Sequence, residues 1–185
     1  MPERVGPSGS PGAARPGRPT RLILIRHGET EWNVEGRHQG QADPPLNVDG
    51  LRQARDLAQR LRPLGLDLLY TSPLLRASAT AEIVAAALGL PVRVDPRLME
   101  IHLGRWQGRL AADIAREDAE LFRHWHAAPW ATVPPGGESL LQVQERVYAA
   151  AEEIHGRHAG QCVGLVTHRI PFLLLGMRFL GWPRD

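Results

Sequence analysis

Lysine is absent from the 185 residues, so all 22 Lys/Arg cations are arginine. Any anion site in this chain must therefore be made from Arg and His. Arg suits a phosphoryl group because its planar fork can donate two hydrogen bonds to one anion. Cysteine is nearly absent. Cys162 stands alone, which excludes an internal disulfide framework and a multi-cysteine metal site. It opens the run Cys-Val-Gly-Leu-Val and reads as a small buried residue rather than a nucleophile. Net charge is only +2, so a basic tail or a nucleic-acid-coating surface is not expected, and no nucleic-acid motif is found. No apolar run approaches the roughly 20 residues that cross a bilayer, so no membrane partner is expected. The first charges are not followed by an apolar block, so no secretory signal is read and the expected location is cytoplasmic.

The length suits one domain with a single core. Residues 1–20 hold five Pro and four Gly, a composition with too little apolar surface to offset its ordering entropy, and read as a flexible tail. Residues 21–185 read as the domain. Leu22 to Ile25 is an apolar run that suits a strand covered on both faces. Asn47 is placed to cap a helix to about Leu64, with apolar positions at Leu51, Ala54, Leu57, Ala58 and Leu61. Leu66 to Tyr70 reads as a strand, and Pro73 as the opening of an Ala-rich helix that Gly89 stops. Val92 to Val94 is a short strand. Leu110 to His126 reads as one or two amphipathic helices on a side excursion. A helix over Glu138 to His155 follows, with Leu141, Val147, Tyr148, Ala151 and Ile154 on one face. Cys162 to Val166 reads as the last strand, with a final helix from Pro171. This alternation predicts an α/β fold with a doubly wound, mainly parallel sheet.

Three chemically equipped segments each follow the carboxyl end of a strand, the edge where open α/β sheets bind ligands. Arg26-His27-Gly28-Glu29-Thr30 offers an imidazole nucleophile, a cation and a turn whose amides can face an anion. Ser72-Pro73-Leu74-Leu75-Arg76 places Arg76 in the first turn of a helix. Thr167-His168 ends the last strand. Glu100 lies in the segment Leu98 to Trp106. Each has a plainer reading: a structural His, a solvated Arg, one acid among 20.

Taken in order, these segments resemble the histidine phosphatase superfamily, the group that includes cofactor-dependent phosphoglycerate mutases and many small phosphatases. Its opening signature is matched by Arg26, His27, Gly28, Thr30 and Asn33. The loop Gln39-Gly40-Gln41 with Pro45-Leu46, then Gly50 and Ala54, also matches. So do Ser72-Pro73-Leu74 with Arg76, Ala77 and Thr80, Glu100 with Gly104-x-Trp106-x-Gly108, and Gly137-Glu138-Ser139 with Arg146. The resemblance spans about 21 to 180. It implies a three-layer α/β/α fold and metal-independent hydrolysis of a small phosphorylated metabolite through a phosphohistidine on His27. Arg26, Arg76 and His168 would clamp the phosphoryl oxygens, and neighbouring Arg charge would keep the imidazole unprotonated. Glu100 would be general acid, then base, its pKa raised by the substrate's charge. Asn33, Gln39, Gly40 and Thr30 are the expected substrate-binding residues. No cofactor is implied, and dimers are common in the family, which leaves a homodimer open.

The residue after the second histidine is usually Gly in the family and is Arg169 here. The residues leave open whether its side chain adds to the site, covers it or points away. Family members commonly continue beyond the position of Asp185, so the domain reads as C-terminally abbreviated. Arg97, Arg105 and Arg123 are candidates for a second charged group of the substrate, against the plainer role of solvated cations. The five Trp, at 32, 106, 125, 130 and 182, divide between pocket lining and packing. His38, His102, His124 and His126 lack metal-site spacing, because His124 and His126 do not share a helix face and no Cys or carboxylate accompanies them. Two other functions are weighed. A phosphoglycerate mutase would carry a basic insertion, whereas Gly108 to Pro134 is short and mixed in charge. A scaffold would need the charges but not the acid.

Overall fold

The computed structural model describes residues 17–183. Of the tail read over 1–20, residues 1–16 lie outside the described residues. Thr20 already belongs to the fold, its hydroxyl accepting from the Gly160 amide at 3.1 Å.

Four parallel strands form one sheet in the order β1-β4-β2-β3. They are β1 (Arg21–Arg26), β2 (Leu68–Thr71), β3 (Val92–Val94) and β4 (Cys162–Thr167). Helices α2 (Val48–Leu61) and α3 (Leu75–Leu88) cover one face. Helices α6 (Leu140–Arg157) and α7 (Arg169–Leu180) cover the other. Side chains divide with the period of two that a strand imposes. Leu68, Tyr70, Val163 and Leu165 pack under α6 and α7, while Leu69, Cys162 and Val166 pack under α2 and α3. This is the expected three-layer α/β/α architecture. A short helix α1 (Glu31–Val34) follows β1, and α4 (Ala111–Glu117) with α5 (Ala119–Ala127) form the excursion. Ile114 and Trp125 of the excursion join the α6/α7 side of the core. No helix among the described residues is long and apolar enough to cross a membrane.

Several local expectations are corrected. β1 is covered on both faces as expected, but as an edge strand it leaves Leu22, Ile23 and Leu24 only half-buried, whereas β2 and β4 are buried throughout. Helix α3 begins at Leu75, not Pro73, because its cap comes from elsewhere in the chain: Asp43 accepts the Leu75 amide at 2.6 Å. Helix α7 begins at Arg169, two residues before Pro171. Proline is tolerated there because first-turn amides need no intrahelical acceptor. Helix α6 is phased by a capping box between Ser139 and Gln142, which turns Leu140 and Val143 inward and leaves Leu141 58% exposed.

Candidate active site

Strand register brings the three carboxyl-end segments level. Arg26 pairs with Thr167, and Val166 with Thr71. One residue beyond, the His27 amide donates to Thr167 O (3.0 Å) and the Ser72 amide to Val166 O (3.1 Å). His27 and His168 are thereby held side by side, ring centroids 5.1 Å apart. The turn after His27 is pressed onto the start of α2. A Cβ on Gly50 would lie 2.1 Å from the Glu29 carbonyl oxygen, and one on Gly28 would lie 2.6 Å from that of Gly50. Only glycine allows this approach.

His27 Nδ1 lies 2.6 Å from the Gly28 carbonyl oxygen, which can only accept, so the hydrogen of the neutral ring is on Nδ1 and the lone pair on Nε2. Burial above all, then the Arg76 and Arg26 charges, lowers the His27 pKa to about 3 against the opposing pull of the Gly28 carbonyl. Neighbouring charge alone was the expected cause; desolvation is the larger one.

Arg76 is almost wholly enclosed in α3. Its terminal nitrogens donate to Gly40 O (2.7 Å) and Ala42 O (2.8 Å), which ties the 40–42 loop to the helix. Its Nε has no partner among the described residues. His168 is fully buried, with Nε2 at 2.8 Å from Ser72 Oγ and Nδ1 without a partner. Ser72 Oγ already accepts from the Leu74 amide. Its own proton is free to go to Nε2, and in that tautomer the His168 hydrogen sits on Nδ1. Leaving such buried donors unpaired costs about 1–3 kcal/mol each, and two of them stand beside one imidazole.

Glu100 enters the cavity from the segment after β3. Both its side-chain hydrogen bonds fall on Oε1, from the Ile101 and Ile170 amides at 3.0 and 3.2 Å. Burial raises its pKa with no substrate present, although those amides and the Arg76 and Arg26 charges oppose it. Its backbone is clamped by a residue whose role was not read from the sequence. Arg146 on α6 donates to the carbonyls of Arg97 (2.7 Å), Met99 (2.7 Å) and Glu100 (2.9 Å), and is itself paired with Glu138. The signal was present in the motif Gly137-Glu138-Ser139 with Arg146, but carried no geometry.

Arg26, His27, Arg76 and Glu100 line a cavity of about 270 Å³. Asn33, Gln39 and Gly40 line it too. Gln39 Oε1 is buried without a partner, and Asn33 Oδ1 is taken by the Thr30 amide and hydroxyl. Thr30 is fully buried as the N-cap of α1 and, like the fully buried His168, is not among the side chains that line the cavity. Arg97, Arg105 and Arg123 are also absent from the wall, and Arg97 is paired with Asp95 and Glu153. Trp32 and Trp125 line it. Trp125 is set by an edge contact with Trp106, whose buried indole donates to Asp118 at the α4–α5 junction. Arg169 lines the cavity as well. Among the described residues no group of three or more His, Cys, Asp or Glu could hold a metal ion.

The sequence profile of the histidine phosphatase superfamily, branch 1, matches residues 22–185. Phosphoserine phosphatase 1 of Hydrogenobacter thermophilus is 42% identical over 161 residues, 87% of this chain and 76% of the relative. A probable phosphoglycerate mutase of Cronobacter sakazakii is 38% identical, over 88% of this chain and 76% of its own. Among solved structures, Bacillus stearothermophilus YhfR superposes with a TM-score of 0.85 at 42% identity, covering 90% of this chain and 82% of the other. The mycobacterial glucosyl-3-phosphoglycerate phosphatase complexed with VO3 gives a TM-score of 0.79 at 35% identity, over 88% and 81%. With the fold, the paired imidazoles and these matches in agreement, the chain belongs to the histidine phosphatase superfamily, branch 1, and is a phosphatase of that family.

Proposed function

We propose that the chain hydrolyses a small phosphomonoester by way of a phosphoryl group carried on Nε2 of His27. The state of the His27 ring carries this reading. Nδ1 is spent on the Gly28 carbonyl, and a pKa of about 3 leaves Nε2 unprotonated at neutral pH. In the first step the Nε2 lone pair forms a bond to phosphorus as the ester P–O bond breaks, and the leaving oxygen takes the proton of Glu100. A carboxyl raised by burial is suited to enter that step as the acid. In the second step the Glu100 carboxylate takes a proton from water, whose oxygen bonds phosphorus as the N–P bond breaks. Inorganic phosphate leaves, Glu100 is again protonated, and His27 is restored.

Phosphoryl transfer depends chiefly on positioning and on stabilising charge spread over the equatorial oxygens. Arg26 and Arg76 supply that charge, and His168 adds a neutral donor. The unpartnered Arg76 Nε and His168 Nδ1 gain an acceptor when the anion arrives. Asn33, Gln39 and Gly40 form the near wall against which a small metabolite is placed. The mutase reading fits the cavity less well, because the α4–α5 excursion sends Trp125 to the wall rather than a pair of cations.

Alkaline quenching during turnover of a phosphorus-labelled substrate should leave base-stable, acid-labile label on the protein, located at His27 by mass spectrometry. His27→Ala should carry no label and release no phosphate. A wild-type enzyme that turns over without ever holding label, or that holds it elsewhere, would overturn the reading.

A further inference from the structure

The cavity has a second cationic position that hydrolysis itself does not need. Arg169 is exposed, lines the cavity, and has no hydrogen bond or ion pair among the described residues. The other cavity arginines differ. Arg37 is tied to Glu35 and to the Gly108 carbonyl, Arg76 to two loop carbonyls. Arg26 is unpaired, but its charge acts on His27 and Glu100. Arg169 acts on a different wall, for its charge is felt at His38, whose pKa it helps to lower after burial and His126. Its reach is limited by its neighbours. It sits at the first position of α7, between fully buried His168 and Ile170, whose amide holds Glu100.

The cavity contains one acid, Glu100, and burial disfavours its charge. Among the described residues no carboxylate therefore pairs with Arg169. A phosphoryl group seated on His27 answers Arg26 and Arg76 and leaves Arg169 without an anion. The same cavity is lined in part by the apolar side chains of Trp32, Trp125, Leu103 and Ile170. At about 270 Å³ the space falls just below the roughly 300–1,000 Å³ of drug-sized sites. It suits a short carbon chain with an anion at each end.

We infer that Arg169 binds a carboxylate of the substrate, so that the preferred substrates are short phosphomonoesters that also carry a carboxylate. This rests on the phosphatase reading. Arg suits the task because its fork matches a carboxylate and it is charged at every working pH. It acts here as a specificity residue, contributing through binding rather than through the reacting atoms.

Two matched pairs of compounds isolate the carboxylate: O-phosphoserine against phosphoethanolamine, and 3-phosphoglycerate against glycerol 3-phosphate. The wild-type enzyme should favour the carboxylated member of each pair in kcat/KM by about ten- to a hundredfold, the range of one charge-assisted hydrogen bond. In Arg169→Gly and Arg169→Gln that ratio should fall by about tenfold or more, mainly through KM for the carboxylated member, and Arg169→Lys should restore part of it. A wild-type enzyme without the preference would overturn the inference. So would variants that lose both members of a pair equally, which would place Arg169 on the phosphoryl group. Absence of phosphate release from all four compounds and from p-nitrophenyl phosphate would instead remove the phosphatase reading on which it stands.

Discussion

Glu100 has to give up a proton and recover it within one turnover, and the two demands can be separated by the choice of leaving group. An alkoxide needs the proton; p-nitrophenolate leaves without it. Glu100→Gln should therefore lower the rate on an alkyl phosphate by about 100- to 10,000-fold, the usual span of a general acid. On p-nitrophenyl phosphate the same variant should show a burst of nitrophenol followed by slow turnover, because water still lacks its base. Rapid-mixing absorbance gives both numbers, and equal losses on the two substrates would remove Glu100 from proton transfer. The residues that meet at this cavity were legible because each stands just past a strand or in a motif of fixed order. Thr30 shows that the same motif also serves the fold, for its side chain caps α1. The identity of the His27 donor nitrogen was not legible, since it depends on where the Gly28 carbonyl turns.

At the scale of elements, α6 does more than cover the sheet. Arg146 reaches from it to three carbonyls of the segment that carries Glu100, and Glu138 holds both the guanidinium and the His102 amide. Arg146→Met leaves those carbonyls and Glu138 without their shared partner. Losing these partly buried, charge-assisted hydrogen bonds costs about 1.5–3 kcal/mol, readable as a lower urea midpoint at unchanged m-value. Arg146 acts through Glu100, so the variant should also lower alkyl phosphate turnover more than aryl phosphate turnover. A loss of stability with both substrates affected alike would reduce Arg146 to a brace. The element order of the sheet and its helices followed from apolar periodicity. Element starts did not follow wherever the cap is tertiary. Asp43 starts α3 from 32 residues away, and no local pattern around Pro73 announces it. The phase of α6 was available in Ser139-x-x-Gln142, a capping box that outweighs the apparent fit of Leu141 to the buried face.

For the whole molecule, keeping the site's imidazoles and carboxyl uncharged links folding to pH. In the unfolded chain imidazole titrates near 6.5, whereas folded His27 titrates at about 3, and burial also holds His168 and His38 below their ordinary value. Below about pH 6.5 the unfolded chain thus binds more protons, and stability falls as pH falls, by up to about 1.4 kcal/mol per pH unit for each such imidazole. Glu100 has the opposite sign. Its folded pKa is raised, so above about 4.5 the folded chain holds a proton that the unfolded chain has lost, and stability falls as pH rises toward the folded value. Asp95, whose pairing with Arg97 lowers its pKa, loses its contribution only below about pH 4, outside the window from pH 5 to 6. Urea unfolding across that window should therefore show wild-type stability decreasing toward pH 5. His27→Gln should be less steep by up to about 1.4 kcal/mol per pH unit, and Glu100→Gln should be steeper than wild type, because the opposing proton is gone. Identical slopes in all three proteins would mean that the imidazole already titrates normally in the folded chain, and an imidazole half-protonated near neutrality could not serve as the resting nucleophile described for Nε2.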